Sequence, residues 1–516
     1  MKTKTILTST IFVALATVTV RFFSFLREIT LASSYGAGMV SDAFVVAFAV
    51  PGSVLALIGA STAAVFIPAF TRVEGDKEYF TNNVLTILSL IGLLFTAVFA
   101  TFPEALVFIF ASQLDVETFA LTAEMLRIMV WSAIPILLFG VLQSYLQVKN
   151  AFFVAAILVI PINIYTILSI LFSKAVEITY IMGYGVVAGN IMALILLFVA
   201  AHRKGYRYKP VIDFKMQELR MLLFLLAPVM LITFIGEINL IIDRNFASSL
   251  AVGTISSLNY ASKLINILVA TIGASVATVL YPRMSKYAAE DNLKEISRCV
   301  TESIKKLIPV LLPAVVGIVI LAGPIVRIVF ERGEFTQQNT QMAMESLRMY
   351  APLLLFSCIN VILTRALFSI RDTKTPAIIT AVSIGVGIGL KFALIGPLAH
   401  MGLALSSSIS AMLSMILLLL VLRRRIGLLS LKKNKWEWVK VQVALIVMAV
   451  AVAIGYHLLP VMDGGTLQCV LLTGGLVFAG VVVYVLILAV TRAEFLRESI
   501  VMLQRLFTAR SRKVQT

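Results

Sequence analysis

The sequence predicts an all-α polytopic membrane protein of about fourteen transmembrane helices, each near the twenty-residue length a bilayer requires. Two six-helix lobes form a parallel internal repeat, and two further helices follow. Composition is the first observation: of 516 residues, 60% are hydrophobic and 13% charged. A soluble domain carries about a quarter charged residues, so this chain lacks the polar groups to cover a water-facing surface. Second, long apolar stretches recur from end to end. Hydrocarbon offers no hydrogen-bond partners, so such stretches must be helices or closed barrels, and runs of Leu, Ile, Val and Ala lack the alternation of barrel strands. Third, basic residues fall in every second loop.

The spans are expected at about 5–26, 43–68, 83–110, 124–147, 153–173 and 178–201, the first lobe. A basic linker leads to about 218–245, 255–281, 304–329, 345–369, 376–396 and 400–422, and a second to about 439–460 and 467–490. The first stretch follows Lys2 and Lys4 and holds Ala14-Leu15-Ala16, a faint cleavage-site pattern, but it stays apolar to Phe25 and reads as a retained helix. The organisation is an N-lobe over 1–214, a C-lobe over 215–430, and appended helices with a basic tail over 431–516.

With the N-terminus in the cytoplasm, the inner loops hold Arg72 and Lys77; Lys149; Arg203, Lys204, Arg207, Lys209 and Lys215; Arg283, Lys286, Lys294 and Arg298; Arg371 and Lys374. Arg423, Arg424, Arg425, Lys432, Lys433 and Lys435 follow, and the tail adds Arg505, Arg510, Arg512 and Lys513. The opposite loops carry little beyond Lys174 and Arg332, beside Asp115, Glu117 and Asp463. By the positive-inside rule both termini are cytoplasmic. The repeat shows in Ile58-Gly59-Ala60-Ser61, which begins a stretch ending at Pro68, and Ile272-Gly273-Ala274-Ser275, which begins one ending at Pro282. Lys149-Asn150 and Arg371-Asp372 form a second echo, each between the fourth and fifth spans of its set. Two lobes in one orientation are an arrangement of transporters that rock around a central site.

Charged residues within spans are the informative ones, because each is expensive in hydrocarbon unless it faces a cavity or a partner. In the first lobe these are Arg21, Arg27, Glu28 and Asp42; in the second, Glu237, Asp243, Arg244, Lys263, Arg365 and Lys391. Glu28, Asp42 and Arg365 lie near span ends, where a snorkelling side chain is the plain alternative. A structural ion pair is the alternative for the others, and adjacent Asp243 and Arg244 partly neutralise one another. Arg21 and Arg27 are six residues apart, roughly 240° around a helix and about 9 Å along it, so they line a broad cavity at two depths rather than one stripe. Arginine grips phosphate oxygens with bidentate geometry, which points to an anionic, phosphate-bearing cargo.

Catalysis is not indicated, and no cofactor is expected. No Gly-x-x-x-x-Gly-Lys-Ser/Thr phosphate loop is present. His202, His400 and His457 are dispersed, and Cys299, Cys358 and Cys469 have neither metal nor redox spacing. The net charge of +17 would suggest nucleic acid in a soluble protein, but here it sits between spans and serves topology.

The segment Arg21 to Pro68 carries a specific resemblance: Arg21, Phe25-Leu26-Arg27-Glu28, Tyr35-Gly36-Ala37-Gly38, Ser41-Asp42-Ala43-Phe44, Ala47-Phe48, Pro51 and Phe66-Ile67-Pro68. The second lobe adds Ile238-Asn239-Leu240 through Asp243, Phe246-Ala247-Ser248, Leu258-Asn259-Tyr260-Ala261-Ser262-Lys263-Leu264 and Leu280-Tyr281-Pro282. Together these resemble the MviN/MurJ family of lipid II flippases, within the multidrug/oligosaccharidyl-lipid/polysaccharide exporter superfamily. The resemblance implies a V-shaped pair of lobes around a cationic cavity in a bacterial cytoplasmic membrane. It implies a polyprenyl-pyrophosphate-linked glycan as substrate, most simply lipid II for peptidoglycan synthesis, with cell-wall synthesis proteins as candidate partners. The last two helices resemble those that form a groove for the lipid tail.

Family residues map onto Arg21, Arg27 and Asp42, with Lys263 where an arginine is common. Phosphate binding falls to Arg21, Arg27 and Lys263; Asp42, Glu237, Asp243, Arg244 and Lys391 shape cavity charge and gating. Two departures stand out. Leu55 replaces an expected cavity arginine, and Lys391 stands about where some members place an acidic sodium ligand. The Lys391 ammonium then substitutes for the ion, pairing with Asp243 or Glu237. Competing readings are a flippase for another lipid-linked polysaccharide, a cation-coupled multidrug exporter of the same superfamily, and a glycosyltransferase acting on the same carrier. The last would want external carboxylates, and Asp115, Glu117 and Glu331 form no convincing set.

Overall fold

A computed structural model describes residues 2–427, 435–494 and 496. Lys432, Lys433 and the tail cations Arg505, Arg510, Arg512 and Lys513 lie outside the described residues. Every regular element among the described residues is helical, because only a helix satisfies its own backbone inside hydrocarbon. In chain order they are α1 (Lys2–Tyr35), α2 (Met39–Arg72), α3 (Lys77–Thr101), α4 (Pro103–Ala111), α5 (Val116–Met129), α6 (Ala133–Val148), α7 (Phe152–Ile157), α8 (Ile160–Val176) and α9 (Ile181–Arg203). Then come α10 (Gln217–Ser248), α11 (Thr254–Ala289), α12 (Leu293–Ile320), α13 (Ala322–Phe330), α14 (Gln337–Ser369), α15 (Lys374–Ile426), α16 (Lys435–Leu458) and α17 (Thr466–Val490).

Among the described residues, 11 helical stretches are long and apolar enough to cross a membrane. One, α15, runs 53 residues and contains both expected spans 376–396 and 400–422, which meet at the non-helical Ala399 (φ 46°, ψ −127°) just after Pro397. The expected spans 83–110 and 304–329 are each broken in two, near Phe102-Pro103 and Leu321-Ala322. The break leaves short helices of 9 residues, α4 and α13, at equivalent places in the two halves. In α4 the physical cause is a proline at the first helical position, which starts a helix and cannot continue one.

The first copy of the duplicated motif has a structural reason. Gly59 of α2 meets the backbone of α6, where an added Cβ would lie 3.2 Å from Ile136 O. Its repeat partner Gly273 of α11 meets Val361 of α14, at 3.4 Å. Gly59 thus lets α2 approach the α6 backbone closely, whereas Gly273 makes only ordinary van der Waals contact with the Val361 side chain. The second echo holds with its register moved by one residue: Asn150 (φ 59°) pairs with Arg371 (φ 62°), not with Asp372. Each is the left-handed residue closing a helix. The next amide bonds back across the turn, Ala151 N to Leu146 O and Asp372 N to Leu367 O.

The chain divides into two compact units. The first comprises residues 1–260 with 330–339, and the second 261–329 with 340–516. In the first, α2 packs on α5, α6 and α10, while α8 packs on α1 and α9. Thus α10, expected to open the C-lobe, lies in the first unit. The core of this unit gathers Phe66, Phe70, Phe80, Leu137, Val141 and Tyr145. Leu55, read as an empty arginine position of a cavity, is 1% exposed within that same apolar core.

The short stretch 330–339 belongs to the first unit because it docks on the α1–α2 turn. Glu334 N donates to Ser33 O at 3.0 Å. The Asn339 side-chain amide accepts from Ala37 N at 3.2 Å and donates to Ala37 O at 2.9 Å. Gly36 (φ 65°) and Gly333 (φ 59°) adopt left-handed backbone at this contact, with backbone oxygens of Glu334 and Ser33 where their Cβ atoms would be. Lys174 pairs with Glu334 at 2.9 Å. Phe330, tilted, and Phe335, edge-on, pack around buried Tyr260. In the second unit, α16 packs on α17 and α12. Tyr484 of α17 donates to Pro309 O at 2.8 Å, fixing the last helix to α12.

Candidate functional site

Arg27 and Glu28 sit near the end of α1 at 5% and 4% exposure. Burying a lone ion is prohibitive, so each needs partners. Arg27 Nη2 meets Glu28 Oε1 at 2.7 Å, Nη1 donates to Asn163 Oδ1 of α8 at 3.4 Å, and the guanidinium lies 4.1 Å over the Phe48 ring of α2. Asn259 of α11 donates to the other Glu28 oxygen at 2.9 Å. Four helices thereby converge on one ion pair. Arg27 uses two of its five N–H donors in this arrangement. Glu28 is therefore an ion-pair member and not a snorkelling side chain, and Arg27 is fixed in plane and position.

Asp42, 2% exposed, has no described cation beside it. Its carboxylate accepts from Gly253 N at 2.6 Å and Ser256 N at 2.7 Å, the free amides at the start of α11. A carboxylate there satisfies orphan donors and opposes the positive end of the helix dipole. Nearby, Ser41 and Tyr260 both donate to Gly36 O, at 2.7 and 3.2 Å. A recess of about 190 Å³ opens beside Asp42, lined also by Gln113, Asp115, Ser248 and Ser249. Asp115 caps α5, and the hydroxyl and amide of Thr118 hold its carboxyl below the ordinary value.

Glu237, Asp243 and Arg244 share α10. Glu237 and Arg244 are seven residues apart and so face one side of the helix, about 10 Å apart along it. Glu237 Oε2 and Arg244 Nη1 are shielded from solvent with no hydrogen-bond partner among the described residues. Asn239 donates to Asp243 Oδ2 at 3.4 Å. Arg21 is exposed, and no hydrogen bond or ion pair reaches it among the described residues. Lys263 and Lys391 belong to the second unit, Lys263 half-buried and Lys391 1% exposed. No group of three His, Cys, Asp or Glu side chains is placed to hold a metal among the described residues.

Asn163 went unmarked in the sequence, and Phe48 and Asn259 figured only among the residues of the family resemblance, with no site role. An asparagine inside an apolar stretch was the available signal for Asn163, since a buried amide demands partners. Nothing in one dimension pairs it with Arg27, 136 positions away.

The geometry is that of a membrane helix bundle with an ion pair fixed in its interior. Residues 31–472 match the family described as lipid II flippase MurJ. The chain belongs to that family. The lipid II flippase MurJ match begins just after Arg27, so the Arg27 arrangement stands on the structure itself. A probable lipid II flippase MurJ of Rickettsia prowazekii strain Madrid E is 27% identical over 418 residues, 79% of this chain and 82% of that protein. Another, of Rhizobium meliloti strain 1021, is 29% identical over 420 residues, 77% of each chain. Among solved structures, the fold is that of a lipid II flippase MurJ in an inward closed conformation (TM-score 0.79, 23% identity, 95% of this chain and 100% of that one). It is shared more distantly with an inward-facing multidrug resistance transporter of the MATE family in the MOP superfamily (TM-score 0.64, 17% identity, 80% and 95%).

Proposed function

We propose that this multi-pass membrane protein is a transporter that moves lipid II across the cytoplasmic membrane by alternating access. Membership of the flippase family supports the cargo, and the observation that carries the reading to atoms is the immobilised Arg27 guanidinium. In the described state Glu28 occupies the place that a phosphate oxygen would take. A pyrophosphate headgroup then binds by exchanging with Glu28 for the Arg27 Nη2 donor, so ion-pair exchange couples substrate entry to release of a structural contact. Substrate can shift the conformational balance only through such differential contacts.

Arg21 and Lys263 supply further positive charge to the headgroup in this reading. Glu237, Asp243, Arg244 and Lys391 carry the gating charges, and Asp42 acts through its hold on the start of α11. Lys391 takes the place of a sodium ion. The lobes are 1–214 and 215–430, with 431–516 appended, and both termini are cytoplasmic. The test is complementation of cells depleted of their own flippase, with transport assayed in vesicles. With its membrane abundance matched to that of the wild type, Arg27→Ala should fail to support growth, and normal growth would overturn the site. Likeness to the multidrug transporter is one of fold alone, and uptake of cationic dyes by the wild type would favour that class instead.

A further inference from the structure

Residues 204–216, between α9 and α10, double back along the first turns of α3. Tyr206 donates to Asn82 Oδ1 at 2.5 Å, and Asn82 Nδ2 reaches Arg207 O at 3.4 Å. Val211 N donates to Thr86 Oγ1 at 3.2 Å, and the Thr86 and Tyr208 hydroxyls meet at 3.0 Å. Asn83 exchanges two hydrogen bonds with the backbone of Asp213, at 2.8 and 2.9 Å. Thr86 lies nine residues beyond Lys77, about 13 Å up the helix axis. The strap therefore runs beside the beginning of a helix apolar enough to cross a membrane, where a spanning α3 would enter the interface.

What the strap turns outward has one sign. Arg203, Lys204, Arg207, Lys209 and Lys215 are all exposed. The one carboxylate in the segment, Asp213, is occupied by Lys215 N at 2.9 Å and the Tyr79 hydroxyl at 3.5 Å. Among the cations stand Ile212 and Phe214, 56% and 64% exposed. Setting topology requires only loop charge. It requires neither a backbone pinned along a span nor two large apolar side chains facing outward. Cations flanking apolar side chains at interfacial depth match a leaflet of anionic lipid, with ammonium and guanidinium groups on phosphates and Ile212 and Phe214 in the acyl boundary.

We propose that residues 203–215 form a binding surface for anionic phospholipid headgroups. The assignment to the cytoplasmic leaflet rests on the orientation given above; the binding itself does not. The test uses the purified full chain in neutral detergent, titrated with fluorescent phosphatidylglycerol or phosphatidylcholine. Each basic residue at an anionic surface is worth roughly a fivefold change in partitioning. Replacing Arg203, Lys204, Arg207 and Lys209 together by Gln should thus weaken phosphatidylglycerol binding at least tenfold and leave phosphatidylcholine unchanged. These substitutions spare the backbone bonds of the strap. Ile212→Ser with Phe214→Ser should weaken both lipids. Asn83→Ala, which unpins the strap with every cation retained, should also lower phosphatidylglycerol binding severalfold.

Unchanged phosphatidylglycerol binding in the four-Gln variant would overturn the proposal. So would loss of undecaprenyl pyrophosphate binding with phosphatidylglycerol retained, which would place the strap on the substrate's path. Arg27→Ala should keep phosphatidylglycerol binding while losing transport, so failure of one reading is separable from failure of the other.

Discussion

Replacing Arg27 by alanine removes three contacts at once: an ion pair at 2.7 Å, a weak amide bond at 3.4 Å, and a cation–π contact at 4.1 Å. The larger effect falls on what remains. Glu28 stays buried with Asn259 as its described hydrogen-bond donor. Breaking a buried ion pair from one side destabilises by about 3–5 kcal/mol, and the lost cation–π contact adds about 0.5–2 kcal/mol. A loss of about 4 kcal/mol is expected for Arg27→Ala, seen as a lower unfolding temperature in detergent and reduced membrane abundance at elevated growth temperature. Adding Glu28→Gln removes the buried charge that Arg27 had neutralised while keeping an acceptor for Asn259, so the double variant should recover part of the lost stability. If Arg27 also binds the headgroup, growth in flippase-depleted cells stays abolished even where abundance returns. A double variant that restores both stability and growth would refute the binding role, leaving Arg27 as a partner of Glu28 alone.

Four further outcomes follow from the same contacts. Asp42→Ala should destabilise by about 3 kcal/mol, since two hydrogen bonds to a charged acceptor at a helix start are lost; Asp42→Asn should lose less, because one acceptor oxygen survives. Thermal unfolding in detergent decides between them. Gly333→Ala should destabilise by about 1–3 kcal/mol, its Cβ meeting Ser33 O on left-handed backbone, whereas Gly75→Ala, with nothing near its Cβ, should be close to neutral. The Asp115 carboxyl is held low by the Thr118 hydroxyl and amide. Its contribution to stability is therefore full above the ordinary carboxylate range and lost as pH falls through the lowered value. Thr118→Val should move that loss to higher pH, measured as unfolding temperature against pH. Transport should proceed without sodium in the wild type and fail in Lys391→Ala, by vesicle assay in sodium-free buffer.

Hydropathy and charge placement were enough to declare a helical membrane bundle, because the bilayer allows so few backbone solutions. The repeat was equally open to inspection in the letters, though of its two glycines Gly59 meets a neighbouring backbone and Gly273 only a valine side chain. Register was not: the Asn150 and Arg371 caps align one residue away from the letters, because backbone conformation rather than side-chain charge defines the turn. Charge alone singled out Arg27 and Asp42 together, yet the fold gives them unlike surroundings. Arg27 meets Glu28, Asn163 and Phe48 because α1, α2 and α8 converge, and Asp42 meets bare amides because α11 begins beside it. Leu55 likewise took its meaning from a family pattern until the fold placed it in an apolar core. A linear chain states which groups are too polar to be left alone in hydrocarbon. Which partner relieves each one depends on helices that meet more than a hundred residues apart, and that is settled when they pack.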